Sequence, residues 1–174
     1  QNSTGLGNVI MVKNNNVDFK YILNQGQISD QSANYDNKKY PNFTGSQYLE
    51  IPYTPSLNTK QFSVAVWYYV TSWVAYQRIT TSQYIPSASA RHGYEIYETN
   101  EGQQFAFRLD GSTSSDTTTP SGLSLNTWYH MVVTYNGTTQ KLYHNGSSPS
   151  EKTFIDYSPN TSIKTVICAR VVNT

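Results

Sequence analysis

Two long alternating segments constrain the fold of this 174-residue chain more than any other feature. Residues 61–70 read QFSVAVWYYV and residues 127–135 read TWYHMVVTY. Large apolar side chains recur at every second position, which is the period of a β-strand whose successive side chains point to opposite faces. In 61–70 the other positions, with Ala65, Trp67 and Tyr69, are also largely apolar. We therefore expect this strand to be central in its sheet.

Shorter segments of the same kind follow one another along the chain. We predict strands at 47–51, 61–70, 78–81, 93–98, 104–109, 127–135, 140–144 and 164–172. Asn-Gly pairs at 136–137 and 145–146 are turn signals, because Asn and Gly both tolerate the positive φ of tight hairpin turns. The polar stretches 24–42 and 111–122 are expected to be loops. The pattern predicts an all-β fold with little or no helix, a two-sheet antiparallel sandwich or a barrel.

Composition excludes several functional classes. Charged residues make up 13% of the chain, against roughly 25% in an average soluble domain. Twelve basic residues nearly balance 11 acidic ones, and no basic run is present, so nucleic acid is not an expected partner. The longest apolar runs are far shorter than the roughly 20 residues of a membrane-spanning helix, so no membrane insertion is expected.

The patterning divides the chain into two regions. Residues 1–29 are expected to form an N-terminal lead with one or two short strands, at 9–12 and 18–23. Residues 30–174 carry the regular strand-and-turn pattern. This second region is expected to be one sandwich domain, because its length is sufficient to bury a core.

The order of motifs in the second region is itself distinctive. Residues 45–52 read GSQYLEIP, and FSVAVW follows at 62–67. Residues 125–135, LNTWYHMVVTY, are followed by KLYHNG at 141–146. In this order and spacing the motifs resemble LamG-like jelly-roll domains, which belong to the laminin G-like and concanavalin A-like superfamily. The resemblance covers about residues 30–170 and implies a jelly-roll sandwich of two antiparallel sheets.

One departure from the family concerns its final strand. Members commonly close with a further strand that contains Gly-x-Ile-Asp, and no such segment follows 164–172 in this sequence. The resemblance therefore implies an unfilled place at a sheet edge. We expect the early strand 9–12, another chain or the rest of a longer protein to fill it.

The sequence lacks the catalytic motif of the related glycoside hydrolases. Those enzymes place two carboxylates beside the scissile bond, and the resemblance implies a strand motif Glu-x-Asp-x-x-Glu. The nearest match, EIYE at 95–98, has Tyr97 where Asp is needed. His92, His130 and His144 are scattered, and no Gly-x-Ser-x-Gly elbow is present. We therefore predict that this protein is not an enzyme.

Aromatic and polar residues between positions 73 and 97 form the candidate ligand site. Exposed aromatic rings stack on the apolar faces of sugars, while amide and hydroxyl groups bind the sugar hydroxyls. The alternative is that these rings cover the ends of the sandwich or fill a protein interface. The candidate ligand-binding residues are Trp73, Tyr76, Arg78, Tyr84, His92, Tyr94 and Tyr97.

Calcium is the one cofactor that the sequence suggests. Some laminin G-like relatives hold Ca²⁺ with Asp, Asn and backbone oxygens on loops. The candidate ligands here are Asp30, Asn34 and Asp36, although they lack the spacing of a dedicated calcium loop.

Five sequons permit glycosylation without demonstrating it. A chain this rich in Asn, Ser and Thr contains several such matches by chance. The candidate acceptors are Asn2, Asn42, Asn136, Asn145 and Asn160.

The sequence leaves two functional hypotheses. The first is a non-catalytic recognition module, extracellular or on a cell or virion surface, that binds carbohydrate or a glycosylated partner. The second is a structural subunit of a capsid, tail fibre, filament or surface layer, with other subunits as partners through strand pairing. The first depends on the resemblance and the loop aromatics, and the second on the low charge and the missing closing strand. Fold analogy alone decides neither.

Overall fold

The computed structural model describes residues 22–24, 29–32, 39–43, 48–87, 90–99 and 103–168. Within these ranges the strands are β1 (Ile22–Asn24), β2 (Ser29–Ser32), β3 (Lys39–Asn42), β4 (Tyr48–Ile51), β5 (Phe62–Tyr69), β6 (Arg78–Thr81), β7 (Tyr84–Ser87), β8 (Ala90–Glu98), β9 (Phe105–Asp110), β10 (Ser114–Thr118), β11 (Trp128–Tyr135), β12 (Thr139–His144), β13 (Ser150–Thr153) and β14 (Thr165–Ile167). The one helical element in the same ranges is a short 3₁₀ turn, Pro55–Leu57. The described residues contain no helix of sufficient length and hydropathy to cross a membrane.

Two antiparallel sheets form a sandwich, so the prediction of an all-β fold is confirmed. The larger sheet has the order β1-β4-β14-β6-β8-β9-β10, with β7 paired to β8. The smaller sheet has the order β13-β12-β11-β5, and β2 pairs with β3 separately. The two longest alternating segments, β5 and β11, pair without a break from Trp128↔Tyr69 to Tyr135↔Phe62.

The core lies between the inner faces of the two sheets. Its buried side chains come from both sheets and include Val64, Val66, Tyr68, Tyr94, Ile96, Phe105, Phe107, Leu109, Met131, Val133, Tyr135 and Leu142. Full burial of one such large apolar side chain contributes about 1.5–3 kcal/mol. The alternation that turns these residues inward leaves the residues between them on the two outer faces.

The structure corrects two expectations about loops and adds one strand that the sequence did not predict. The stretch 24–42, expected to be a loop, contains β2 and β3, and the stretch 111–122 contains β10. The polar segment Ser150–Thr153 forms β13, for which the sequence pattern gives no signal. All four strands are polar pieces at a sheet edge or in the two-stranded sheet. A backbone ladder to one neighbour, not an apolar alternation, holds each of them.

The expectation that β5 is central in its sheet is wrong for the part of the chain that the structure describes. There β5 is the end strand of the smaller sheet, with β11 as its neighbour. The apolar residues on its second face, Trp67 and Tyr69, are exposed rather than covered. That second face is therefore a surface feature.

Several N-terminal expectations lie outside the described residues. These are the strand 9–12, the sequon at Asn2, and the calcium candidates Asn34 and Asp36. Asp30 and Asn42 lie in β2 and β3, and only their backbones are described. The predicted strand 18–23 is described from Ile22, where β1 begins. How the last place in the sandwich is filled stays a prediction.

The sequon residue Asn160 is fully buried, and the fold uses both ends of its amide. Its Nδ2 donates to the carbonyl of Ile163 at 2.6 Å, and its Oδ1 accepts from the backbone N–H groups of Ser162 and Ile163 at 2.9 and 3.0 Å. Asn136 and Asn145 are exposed. A glycan on Nδ2 of Asn160 would prevent the turn that leads into β14.

We therefore expect folded protein secreted from a eukaryotic host to carry no glycan at Asn160. Peptide mass spectrometry after enzymatic deglycosylation measures the occupancy of each sequon, with the exposed Asn136 as the comparison. Folded protein with an occupied Asn160 would contradict this turn.

Candidate functional site

A row of mostly polar side chains crosses the outer face of the larger sheet. The strand registers align one residue from each of β4, β14, β6, β8, β9 and β10: Glu50, Val166, Thr81, Glu95, Arg108 and Asp116. On β8 and β9 the neighbouring residues Ile96 and Phe107 point into the core, so Glu95 and Arg108 point away from it. Glu95 is nevertheless only 1% exposed. A buried carboxylate on the outer face of a sheet is unusual and needs partners.

Glu95 joins two guanidinium groups in the middle of this row. Its Oε2 accepts a hydrogen bond from Nε of Arg78 at 3.2 Å, and its Oε1 lies 3.6 Å from Nη1 of Arg108. Desolvation offsets much of the attraction in such a buried pair, so the arrangement is weak evidence for stability. Clusters of partly buried charged groups are enriched at functional sites.

Arg108 and Asp116, with side chains 22% and 32% exposed, form the solvent-facing side of the same group, and the buried Tyr97 packs against them. Nε and Nη2 of Arg108 donate to the two oxygens of Asp116 at 2.8 and 2.7 Å, a bidentate pair. The Tyr97 hydroxyl donates to Oδ2 of Asp116 at 3.4 Å, and the Tyr97 ring centroid lies 4.7 Å from Cζ of Arg108. We call Arg78, Glu95, Tyr97, Arg108 and Asp116 the outer-face cluster.

Two members of the outer-face cluster, Tyr97 and Arg108, keep a single protonation state near neutral pH. Burial, together with the charge of Asp116, raises the pKa of Tyr97 to about 12. Burial alone would lower the pKa of Arg108, but the hydrogen bonds and charge of Asp116 raise it above its usual value. Tyr97 therefore stays a neutral donor and Arg108 stays a cation.

Gln83 links the cluster to a second buried carboxyl group, that of Asp110. Its Nε2 donates to Oε1 of Glu95 at 3.2 Å and to Oδ2 of Asp110 at 2.7 Å. Gly93 makes this approach possible, because a Cβ there would lie 2.3 Å from the carbonyl oxygen of Ser82 and its φ is +89°. Burial is the largest effect on Asp110 and raises its pKa to about 6. The hydrogen bond from Gln83 acts in the opposite direction and lowers that pKa.

Tyr76 lies beside the cluster in a strained backbone conformation. Its φ is +59°, a left-handed value that is uncommon for a bulky residue. Its N–H donates to Oε2 of Glu98 at 3.1 Å, and its carbonyl accepts from Nη1 of Arg78. The residue is still 52% exposed. Strained residues persist where the surroundings hold them, and they cluster at functional sites.

The structure brings three of the predicted ligand residues together, namely Tyr76, Arg78 and Tyr97. Two others form a separate pair: Tyr84 and His92 stack across β7 and β8 with ring centroids 6.2 Å apart. This pair lies near the start of β8, whereas Tyr76 contacts Glu98 at the end of that strand.

The remaining two predicted residues face the core. Tyr94 is a buried member of the core, and Trp73 packs against Phe105 with ring centroids 5.9 Å apart. The alternation of β8 that places Tyr97 outside places Tyr94 inside. We therefore leave Trp73 and Tyr94 out of the site.

Sequence reasoning missed Glu95, Arg108 and Asp116 as site residues. A signal for the first two is present, because each is a charged residue at an outward position of a strand whose other face is strongly apolar. Asp116 gives no such signal, since it lies in β10, a polar segment that reads as a loop. Only the register of β9 and β10 places it opposite Arg108.

The calcium prediction finds no direct test in the structure. Among the side chains that the described ranges include, no group of three or more His, Cys, Asp and Glu residues is arranged to hold a metal ion. Asp30, Asn34 and Asp36 stay a prediction on sequence grounds.

The fold is a two-sheet antiparallel β-sandwich whose larger sheet carries a polar, partly buried cluster on its outer face. The chain belongs to the concanavalin A-like lectin/glucanases superfamily, since the Laminin_G_3 family model matches residues 43–171. The resemblance seen in the sequence is thereby confirmed. No curated protein sequence matches this chain.

Solved structures share the fold at low sequence identity. Domain 4 of AbnA, a GH43 extracellular arabinanase from Geobacillus stearothermophilus in complex with arabinotriose, has a TM-score of 0.68 at 16% identity, over 94% of this chain and 77% of that one. The binding domain of Paraclostridial Mosquitocidal Protein 1 has a TM-score of 0.68 at 13% identity, over 94% and 44%. The botulinum neurotoxin serotype D binding domain has a TM-score of 0.61 at 14% identity, over 90% and 40%. This chain spans less than half the length of the two toxin chains.

Proposed function

We propose that this protein is a non-catalytic carbohydrate-binding module whose ligand meets the outer-face cluster and the Tyr76 ring. The observation that carries the proposal is Tyr76, an exposed aromatic ring held in a strained conformation by Glu98 and Arg78. An exposed ring beside fixed hydrogen-bonding groups is the combination that sugar recognition needs, because sugars have apolar CH faces and polar edges.

The charges of the cluster favour a neutral sugar. Two cations, Arg78 and Arg108, are matched by two anions, Glu95 and Asp116, and each is already paired. A charged ligand would have to break one of these pairs. A sugar hydroxyl group can instead accept a hydrogen bond from an unused guanidinium N–H and donate one to an unused carboxylate lone pair. A guanidinium group has five N–H donors and a carboxylate about four acceptor sites, more than the ion pairs use.

Similar folds supply the class of ligand to test first. One of the similar structures is an arabinanase domain in complex with arabinotriose, and two others are toxin binding domains. At these identities they share only the fold with this chain, so they guide the choice of probe. Extracellular or surface localisation is part of the same proposal. None of these comparisons supports the assembly hypothesis.

Removing the Tyr76 ring is expected to weaken carbohydrate binding. For Tyr76→Ala we expect about a tenfold increase in Kd, the equivalent of one aromatic stacking contact. Tyr76→Phe should bind nearly as well, because the ring face and not the hydroxyl makes the contact. Titration calorimetry with arabinotriose, followed by a neutral-glycan array if that probe is silent, measures the effect.

Val74→Ala is the matched control, since Val74 is 58% exposed in the same loop and should leave Kd unchanged. Wild-type affinity in Tyr76→Ala would remove this face as the site. Failure of the folded wild-type protein to bind any glycan on the array would remove the function itself.

A further inference from the structure

A second aromatic surface lies on the opposite side of the sandwich, on the outer face of the smaller sheet. Trp67 stacks on His130 with ring centroids 4.7 Å apart and an interplanar angle of 28°. Tyr69 packs beside Trp128 with centroids 5.3 Å apart. Trp67 and Tyr69 remain 38% and 40% exposed. We call these four residues the aromatic platform.

Strand register builds the platform. Tyr69 pairs directly with Trp128, and Trp67 pairs with His130, in the β5–β11 ladder. Directly opposed residues on one face have Cβ atoms about 4.5–5.5 Å apart, so their rings meet across the strands. The two pairs are separated by two residues along each strand, about 6.8 Å. The result is two neighbouring ring pairs on a backbone that cannot easily rearrange.

Within the described ranges, the ion pair on this face lies away from the platform. Farther along the ladder, Val132 pairs with Tyr143 and Thr134 pairs with Lys141, whose Nζ lies 2.9 Å from Oε2 of Glu151. The platform itself contains no Lys, Arg, Asp or Glu side chain. This separation favours an uncharged occupant.

Amide side chains border the platform at its end of the sheet. Asn126 precedes β11 and Asn145 follows β12, and both are exposed with positive φ values of 55° and 49°. Oδ1 of Asn145 accepts from the N–H of His130 at 2.8 Å. That bond fixes the side chain and leaves its Nδ2 donors directed elsewhere. Rings for CH faces and amides for hydroxyls therefore occur together.

We infer that the aromatic platform is a second binding site for a neutral carbohydrate chain. The inference rests on the proposed function for the class of ligand, but it concerns a different sheet and different residues. A surface of paired, partly exposed aromatic rings bordered by amides is complementary to an extended neutral polysaccharide. Because the two sites lie on opposite outer faces, one molecule would bridge two chains of the polysaccharide.

Affinity electrophoresis tests this with defined probes. The intact protein is run through native gels that contain arabinan, xylan or hydroxyethylcellulose, all neutral polymers. We expect Trp67→Thr, which replaces one strand-favouring residue by another, to weaken platform binding about tenfold. Trp67→Tyr should restore most of the retardation, because it restores a ring. Lys141→Ala, on the same face but outside the platform, is the matched control.

The outcomes separate the two sites. Reduced retardation of both Trp67→Thr and Tyr76→Ala, with each variant keeping part of the wild-type effect, supports the platform beside the outer-face site. Loss in Tyr76→Ala alone overturns the platform and leaves the proposed function standing. Loss of retardation in Trp67→Thr alone supports the platform and overturns the outer-face site. If the wild-type protein is not retarded in any gel, both sites are overturned. A wild-type dimer by light scattering that Trp67→Thr converts to a monomer would make this face a self-association surface and overturn the inference.

Discussion

Glu95→Ala is expected to lower the free energy of unfolding by about 3–5 kcal/mol, the cost of breaking a buried ion pair by removing one partner. Glu95 is almost fully buried, and the side chain of Arg78, which donates to it, is 9% exposed. The variant leaves that guanidinium desolvated beside the Tyr97 ring without its carboxylate. It also leaves an Nε2 donor of Gln83 with one acceptor fewer. Urea unfolding at neutral pH measures the loss.

The chain offers a matched control for this effect. Glu151 pairs with Lys141 at 2.9 Å, a shorter distance than either Glu95 contact, but both side chains are well exposed. Exposed pairs contribute only about 0–1 kcal/mol, so Glu151→Ala should change stability little. Similar losses in the two variants would show that water reaches Glu95, and the outer face would then be an ordinary solvated surface.

The sequence predicts the fold wherever the alternation of apolar residues is strong. In β5, β9 and β11 the alternation that identifies a strand also identifies the face that is buried, so the core follows from the pattern alone. Asn145-Gly146 behaves as predicted, with positive φ at both residues. β10 and β13 escape prediction because polar edge strands carry no alternation. Their pairing depends on a neighbour that is distant in sequence.

The candidate site was predictable only in part, for a related reason. Tyr76, Arg78 and Tyr97 stand out in the sequence because they are aromatic or charged residues of the aromatic-rich stretch 73–97. Their partner Arg108 comes from β9, and the alignment of Glu95 with Arg108 is a property of sheet register that no local pattern encodes. Alternation also reveals that Tyr94 and Tyr97 cannot share a face, a constraint that excludes Tyr94 once β8 is recognised as a strand.

The aromatic platform includes the second apolar face of β5, the strand that the sequence led us to expect at the centre of its sheet. Apolar residues on both faces of β5 indicate burial of both faces in most proteins. Here the described part of the sheet ends at β5, and Trp67 and Tyr69 keep about two-fifths of their surface in solvent. Exposed aromatic patches of this kind mark interaction sites more often than accidents of composition.

Asp110→Asn is expected to stabilise the protein increasingly as the pH rises from 4 to 7. Asp110 is fully buried, and its Oδ1 has no hydrogen-bond partner among the described residues. Burial raises its pKa from 3.8 to about 6. Between these values the folded state holds a proton that the unfolded state has released, so stability falls as the pH rises through this window. Below pH 4 both states are protonated, and above pH 6 both are ionised, so the dependence is confined to that range.

The size of the effect follows from the shift. One pKa unit corresponds to 1.36 kcal/mol, so ionising buried Asp110 costs the folded state about 3 kcal/mol above pH 6. The amide that replaces this carboxyl group cannot ionise, and it still offers Gln83 an acceptor oxygen. Between pH 4 and pH 7 the free energy of unfolding of the variant should therefore rise by about that much relative to wild type. This change does not depend on the difference between the two proteins at pH 4. Urea unfolding at each pH gives the difference.

Asp156→Asn is the control of opposite sign, because hydrogen bonds from Ser112 and Thr113 lower the pKa of Asp156. A flat difference for Asp110→Asn would mean that water or a cation already compensates the buried charge, and the carboxyl group would then belong to the open part of the binding surface rather than to its buried support.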